Sequence, residues 1–165
     1  MSATSASPSS AEPSPVRRAW MAVLARTPRG DLEAALERAL RDIPTPPYDW
    51  LRPPEIGLAM VRGRIGGSGD PFNLGEATVT RATLRLRASA GADATVGVAC
   101  HLGRDRRRAE LAALADALLQ MPEHHAVLQE QLIEPLAAQQ AAKRAVRQQG
   151  AAATRVEFFT MVRGD

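Results

Sequence analysis

LRPPEIGLAMVRGRIGGSGDPFNLGEATVTRATLRL, residues 51–86, is the stretch whose reading decides the fold. In its first part, 55–62, Ile56, Leu58 and Met60 share one parity of an extended chain while Gly57 and Ala59 leave the other parity flat, the pattern of a buried strand. Gly63, Gly66, Gly67 and Gly69 then precede Pro71. Glycine admits positive φ and proline stiffens the exit, so the chain turns sharply there. A second extended run, 74–87, follows, with Thr78, Val79, Thr80 and Thr83 supplying the β-branched side chains that suit a pleated sheet. Its apolar parity changes from Ala77 and Val79 to Ala82, Leu84 and Leu86, which a bulge or a change of buried face near Thr80 to Arg81 would reconcile.

Working outward toward the C-terminus, 89–93 is turn-like and 95–102 alternates, with Val96, Val98, Cys100 and Leu102 on the expected buried side. Three successive strands with short connections predict an antiparallel meander. Asp105 is a capping residue for a helix reaching about Met121, and Leu111, Leu114, Ala115 and Leu118 form its buried stripe. Another helix starts at Pro122, follows Leu128, Leu132 and Leu136, and is expected to kink at Pro135. Beyond it, Ala141, Ala145 and Val146 make so thin a stripe that the helix needs support from another surface. RVEFFTMV, 155–162, is apolar on both faces and predicts a last strand joining the sheet.

Toward the N-terminus, the proline-rich segment 44–54 excludes a helix and reads as a stiff connector carrying Tyr48, Trp50 and Leu51. Before it, Ser14 and Pro15 open a helix to about Arg26, and Leu32, Leu36, Leu40 and Ile43 form the stripe of a second helix beginning near Asp31. The expected fold class is therefore α+β. It comprises an N-terminal helical hairpin, an antiparallel sheet of about four strands (the meander plus the C-terminal strand), and two to three helices between the third and last strands. Residues 1–13 read as a disordered tail and 14–165 as one domain.

With 165 residues, 45% hydrophobic and only 4% aromatic, the interior must be built from Leu, Val, Ile and Ala. The single cysteine excludes an internal disulfide, and no apolar run approaches the roughly 20 residues of a membrane span. The opening lacks the basic start and apolar centre of a secretion signal, so a cytoplasmic location is expected, with no membrane partner. The net charge of +3 rests on arginine, whose fork matches phosphates and carboxylates, although codon bias toward arginine and alanine accounts for the same composition. Few aromatics and no recognition motif argue against nucleic acid.

The glycine loop 63–69 with Arg62, Arg64 and Arg81 has two readings: an anion cradle of backbone N–H groups, or a tight turn between strands. It lacks the Gly-Lys-Ser/Thr ending of a P-loop. Arg104, Arg106, Arg107 and Arg108 crowd the start of the third helix, where the dipole disfavours cations. Either an outside phosphate or carboxylate compensates, or Asp105 and solvent do. Glu55 and Glu76 are paired carboxylates or loop anchors. His101 has no metal-ligand spacing, Cys100 reads as core, and His124 and His125 point about 100° apart on a helix. No serine elbow, HExxH or CxxC occurs, so no self-sufficient active site and no metal site is expected.

The block 55–86, LGRDRRRAELAALADALLQ at 102–120 and RVEFFTMVRGD at 155–165 together resemble the small G-subunit family, PhnG, of the bacterial carbon-phosphorus lyase core complex. The resemblance implies a chain assembled with the H, I and J subunits, most directly with I, and working alongside the ATPase-like K and L proteins. With H, I and L, such a subunit supports displacement of adenine from MgATP by methylphosphonate, giving α-D-ribose 1-methylphosphonate 5-triphosphate. MgATP is then a substrate of the complex, no cofactor is held by this chain alone, and the subunit is accessory instead of catalytic. Matching positions mark anion- or partner-binding candidates: Arg62, Arg64, Gly66, Gly67, Asn73, Glu76 and Arg81 in the first block, Arg104, Asp105 and Arg106 in the second, and Phe158, Phe159 and Arg163 in the third. The alternative is a free-standing anion- or nucleotide-binding enzyme using the glycine loop and the arginines.

Overall fold

A computed structural model describes residues 14–87 and 94–153. Two helices, α1 (Pro15–Arg26) and α2 (Arg29–Ala39), lead into strands β1 (Tyr48–Gly63), β2 (Phe72–Leu86) and β3 (Val96–Leu102), and then into α3 (Arg106–Leu119), α4 (Pro122–Leu128) and α5 (Glu134–Ala153). The sheet has the order β1-β2-β3 and both pairings are antiparallel, so the α+β class and the three-strand meander hold. The expected strand at 155–162 and the tail 1–13 lie outside the described residues. Among those residues no helix is long and apolar enough to cross a membrane.

The helix starts follow from local chemistry. The Ser14 hydroxyl accepts from the Arg17 N–H with Pro15 at the first turn, and the Asp105 carboxylate accepts from the Arg108 N–H at 3.0 Å. The kink expected at Pro135 takes the form of a π-helical turn, Gln129–Ile133, joining α4 to α5. Pro135 offers no N–H to the preceding turn, and a wider turn absorbs the defect.

The core is organised around α3. Ala109 and every residue from Leu111 to Leu119 are buried, because the sheet, α1, α2 and α4 all pack on this helix. Its alanines permit close approach, and β3 answers with Gly97: a Cβ there would lie 2.0 Å from the Ala113 carbonyl oxygen and 2.7 Å from the Ala117 Cβ. The buried side of β3 is consequently Gly97, Ala99 and His101, the reverse of the expected parity. Cys100 is exposed and Leu102 is 70% exposed, which corrects their assignment to the core. A helix this near the strand admits only small neighbours, so side-chain size overrides hydropathy in choosing the face.

Two further expectations are refined. The stiff proline segment packs Tyr48 and Trp50 on the core while Leu51 stays exposed, and it is strand as well as connector, since β1 begins at Tyr48 and Pro53 and Pro54 sit in the register slip between Arg52↔Thr83 and Glu55↔Arg81. Proline is tolerated at such an irregularity on an edge strand, which β1 is among the described residues. The pairing runs in unbroken register from Glu55↔Arg81 through Gly57↔Val79, with the nearest slip in β1 opposite Arg81–Thr83, so of the two explanations for the parity change in β2 the change of buried face holds. Thr80, Ala82, Leu84 and Leu86 form one buried face.

The parity change in β2 marks where the sheet leaves the core. β3 pairs with β2 only from Val79↔Leu102 onward, so β1 and β2 continue past it as a two-stranded arm to Gly63↔Phe72. That is about 20 Å at roughly 3.3 Å per residue. The expected buried strand is thus largely uncovered: Leu58 is 63% and Met60 53% exposed, and Ile56, Val61, Ile65, Phe72 and Leu74 are exposed as well. Leu58 opposes Thr78 and Ile56 opposes buried Thr80, so the arm's apolar row continues the core-facing side of the sheet beyond the helix that covers it. The outer part of α5 is similarly bare, with Val146 67% exposed.

Candidate functional site

The glycine loop closes the arm as a tight turn. Residues Ile65–Gly67 form a 3-10 turn in which Gly66 and Gly67 take φ of 62° and 79°, conformations that side chains with a Cβ rarely adopt. Arg64 Nη1 donates to the Gly69 carbonyl at 3.0 Å, which braces the turn. Arg62, Gly63, Arg64, Gly67 and Pro71 line a wide-open hollow there. The other loop candidates spread along the arm: Asn73 opposes Arg62, Glu76 opposes Met60, and Arg81 lies nine residues beyond Phe72 on β2.

Arg81 does not join the loop, which corrects its expected grouping with Arg62 and Arg64. Its Nε lies 2.7 Å from Glu55 Oε1, which Arg52 also approaches at 3.6 Å. Glu55 and Glu76 are therefore no carboxylate pair. Glu55 belongs to an exposed ion cluster at the base of the arm, and Glu76 stands opposite Met60, several register positions nearer the tip.

The arginine run before α3 finds much of its compensation within the chain. Asp105 caps the helix and approaches Arg29 Nε at 3.8 Å, while Arg107 pairs with Glu33 at 3.3 Å and Glu110 at 3.0 Å. Arg104 and Arg106 remain exposed just after Gly103, whose carbonyl accepts from the Thr80 hydroxyl at 2.6 Å. Phe158, Phe159 and Arg163 lie outside the described residues.

Two features had no sequence signal. The first is Asp116, fully buried in the middle of α3. It accepts from Arg17 Nη2 at 2.6 Å and Nε at 3.2 Å, from Trp20 Nε1 at 2.8 Å and from the Val98 N–H at 2.9 Å. One carboxylate thus pins α1 and the outer edge of β3 to α3. Nothing in the run Leu114-Ala-Asp-Ala-Leu118 distinguishes it from a solvent-facing helix residue until the fold surrounds it.

The second is His101, which the inverted parity of β3 turns inward to 4% exposure. Neither ring nitrogen has a hydrogen-bond partner among the described residues, and Arg108 Nε is buried and unpartnered as well. Burial, followed by the charge of Arg108, holds the imidazole below its usual value of 6.5, with Asp105 pulling the other way. The unfolded chain therefore takes up the proton at a higher pH than the folded one. Stability should hold above that value and fall as the pH drops through it toward the folded-state pKa. In urea titrations between about pH 7 and pH 5, His101→Gln should lose less stability than the unsubstituted chain; equal slopes would show that His101 does not contribute.

Among the described residues no group of three His, Cys, Asp or Glu side chains is placed to hold a metal ion. What the described surface offers is an apolar arm with a basic tip, a partly neutralised arginine cluster at its base, and a small cleft lined in part by His101 and Cys100. Comparison with known proteins adds a family. Residues 15–164 match the family described as "Phosphonate metabolism protein PhnG". Over 149 residues, 90% of each chain, the sequence is 51% identical to a Rhizobium meliloti (strain 1021) protein named alpha-D-ribose 1-methylphosphonate 5-triphosphate synthase subunit PhnG.

Proposed function

The chain belongs to the PhnG family of phosphonate metabolism proteins, and from that premise we propose that it is the G subunit of an α-D-ribose 1-methylphosphonate 5-triphosphate synthase. The synthase joins methylphosphonate to the ribose of MgATP and releases adenine, and this subunit supports the reaction as an accessory member of a multisubunit enzyme. MgATP is a substrate of the assembly, and this chain holds no cofactor of its own. The I subunit is the direct neighbour, with H and J in the same body and the K and L proteins acting with it.

The observation that carries this role is the arm. Six large apolar side chains, Leu58, Met60, Val61, Ile65, Phe72 and Leu74, stand exposed on a two-stranded projection that carries the sheet past its own covering helix. Solvent-exposed apolar surface of that extent marks an interaction site. The exposed outer half of α5 offers a second bare surface of the same chain.

Co-expression with the other synthase subunits tests the role. Leu58→Asp places a charge at an exposed position, so the isolated fold should keep its circular dichroism spectrum and thermal transition. Its affinity for the partner subunits should fall by about tenfold to a hundredfold, the usual range for a central apolar contact. Undiminished co-purification and turnover with Leu58→Asp would remove the arm from the interface.

A further inference from the structure

Every residue of α5 from 141 to 151 is exposed, so the outer half of that helix buries nothing among the described residues. Alanine favours helix there, but a helical stretch without a packed face is marginal in water. Where the bare half begins, α5 and the turn between α1 and α2 enclose a cleft of about 180 Å³. Thr27 and Gln140 brace it: Gln140 Nε2 donates to Thr27 Oγ1 and to the Val23 carbonyl, both at 2.9 Å, and the buried Thr27 hydroxyl donates to the same carbonyl at 2.8 Å. These bonds fix α5 against the last turn of α1.

The cleft is cationic. Arg26 lines it from α1, and Lys143, Arg144 and Arg147 from α5, whereas no carboxylate lines it. Asp31, in the first turn of α2, reaches Lys143 at 3.1 Å. The guanidinium groups of Arg26 and Arg147 donate to carbonyls of their own helices, those of Ala22 and Lys143. Elsewhere Arg17, Arg81, Arg87 and Arg107 each hold a carboxylate. Three arginines gathered in one concavity without such a partner among the described residues favour an acidic occupant, whose carboxylates a guanidinium fork matches. The volume is below that of sites for small-molecule ligands, so it suits inserted side chains better than a whole cofactor. Val146, 67% exposed and three residues after Lys143, adds apolar contact beside the charges. A free ion would use the charges alone, whereas a protein segment uses both.

We propose that this cleft and the adjoining face of α5 receive an acidic segment of a partner subunit, its carboxylates paired with Arg26, Arg144 and Arg147 and an aliphatic side chain packed on Val146. That the occupant is a synthase subunit rests on the role above; that it is acidic rests on the cleft. Docking there gives the outer half of α5 the packed face it lacks.

Lys143 is the only lysine in the chain, so a carbodiimide, which joins amines to carboxylates in direct contact, reports on this cleft. In the assembled synthase carrying Asp31→Asn, which removes the internal partner, Lys143 should couple to an aspartate or glutamate of another subunit. Coupling that is absent, or confined to Glu157 or Asp165 of this chain or to a second copy, would overturn the partner assignment. Arg144→Glu combined with Arg147→Glu, both at exposed positions, should leave the thermal transition of the isolated chain in place. The pair should weaken partner binding at low salt by about tenfold to a hundredfold, and the difference should shrink as salt rises. Unchanged affinity would overturn the cleft as a contact and leave the subunit role standing. Saturable binding of inorganic phosphate, abolished by the same reversals without loss of assembly, would make this a free-anion site and overturn the docking. Failure of the unsubstituted chain to assemble would overturn the role and this occupant together.

Discussion

Asp116→Ala is expected to lower the stability of the chain by about 3–5 kcal/mol, the cost of breaking a buried ion pair from one side. The substitution strands Arg17, whose guanidinium makes two hydrogen bonds to the carboxylate and whose side chain is largely buried. It also leaves the Trp20 indole N–H and the Val98 amide without their acceptor. Gln120, which reaches the same carboxylate and the Val96 carbonyl, loses part of its anchorage. The loss falls on the junction of α1, β3 and α3, so α1 should detach first. Urea unfolding with Trp20 fluorescence reports both events, since Trp20 is buried against the pair. A loss below about 1 kcal/mol, the scale of an exposed ion pair, would mean that the carboxylate does not hold these elements together.

Gly97→Val is expected to cost about 3 kcal/mol or more. Even the first added carbon would meet a backbone oxygen of α3 at 2.0 Å and the Ala117 Cβ at 2.7 Å, and neither is the movable end of a flexible side chain. The strand and helix must separate, loosening the alanine-rich contacts that bury α3. Relief should come from shortening the opposite side, but Ala113 and Ala117 are already minimal and the obstructing atom is a carbonyl. The expected signature is a lower urea midpoint together with weaker near-ultraviolet dichroism. A variant with an unchanged midpoint would show that β3 and α3 do not pack at the described distance.

Much of the frame was legible because it depends on local chemistry. Ser14 and Asp105 cap the helices they were expected to cap, and the glycines between Arg62 and Pro71 close the turn between β1 and β2. Alternation located three strands and their antiparallel order. The failures arise where tertiary packing decides. The apolar parity of β3 named Cys100 and Leu102 as core, whereas the closeness of α3 selects the small residues of the other parity and carries His101 inward. The row Ile56, Leu58, Met60 has the same pattern whether its cover comes from this chain or another, so hydropathy alone called it buried.

The candidate site was legible in pieces. Arg62 and Arg64 do meet at the loop, but Arg81 is drawn off by Glu55, a partner identified only by strand register. Arg104, Asp105 and Arg106 lie where the arm leaves the sheet, and the cap made by Asp105 shows that one of the three has a structural task. His101 and Arg108 are seven positions apart in different elements, and only the seating of α3 on β3 brings the buried imidazole within electrostatic reach of the guanidinium. The expected C-terminal candidates fall outside the described residues.

The reach of the β1–β2 projection also bears on supply. Among the described residues its outer strand, β1, carries an unpaired backbone edge beside a row of aliphatic side chains, the combination that lets identical molecules adhere to one another edge to edge. A cell that translated this polypeptide faster than its companions would accumulate a surplus prone to clumping. Matched output from the genes of the whole enzyme is therefore a physical requirement of this shape, beyond any economy of synthesis.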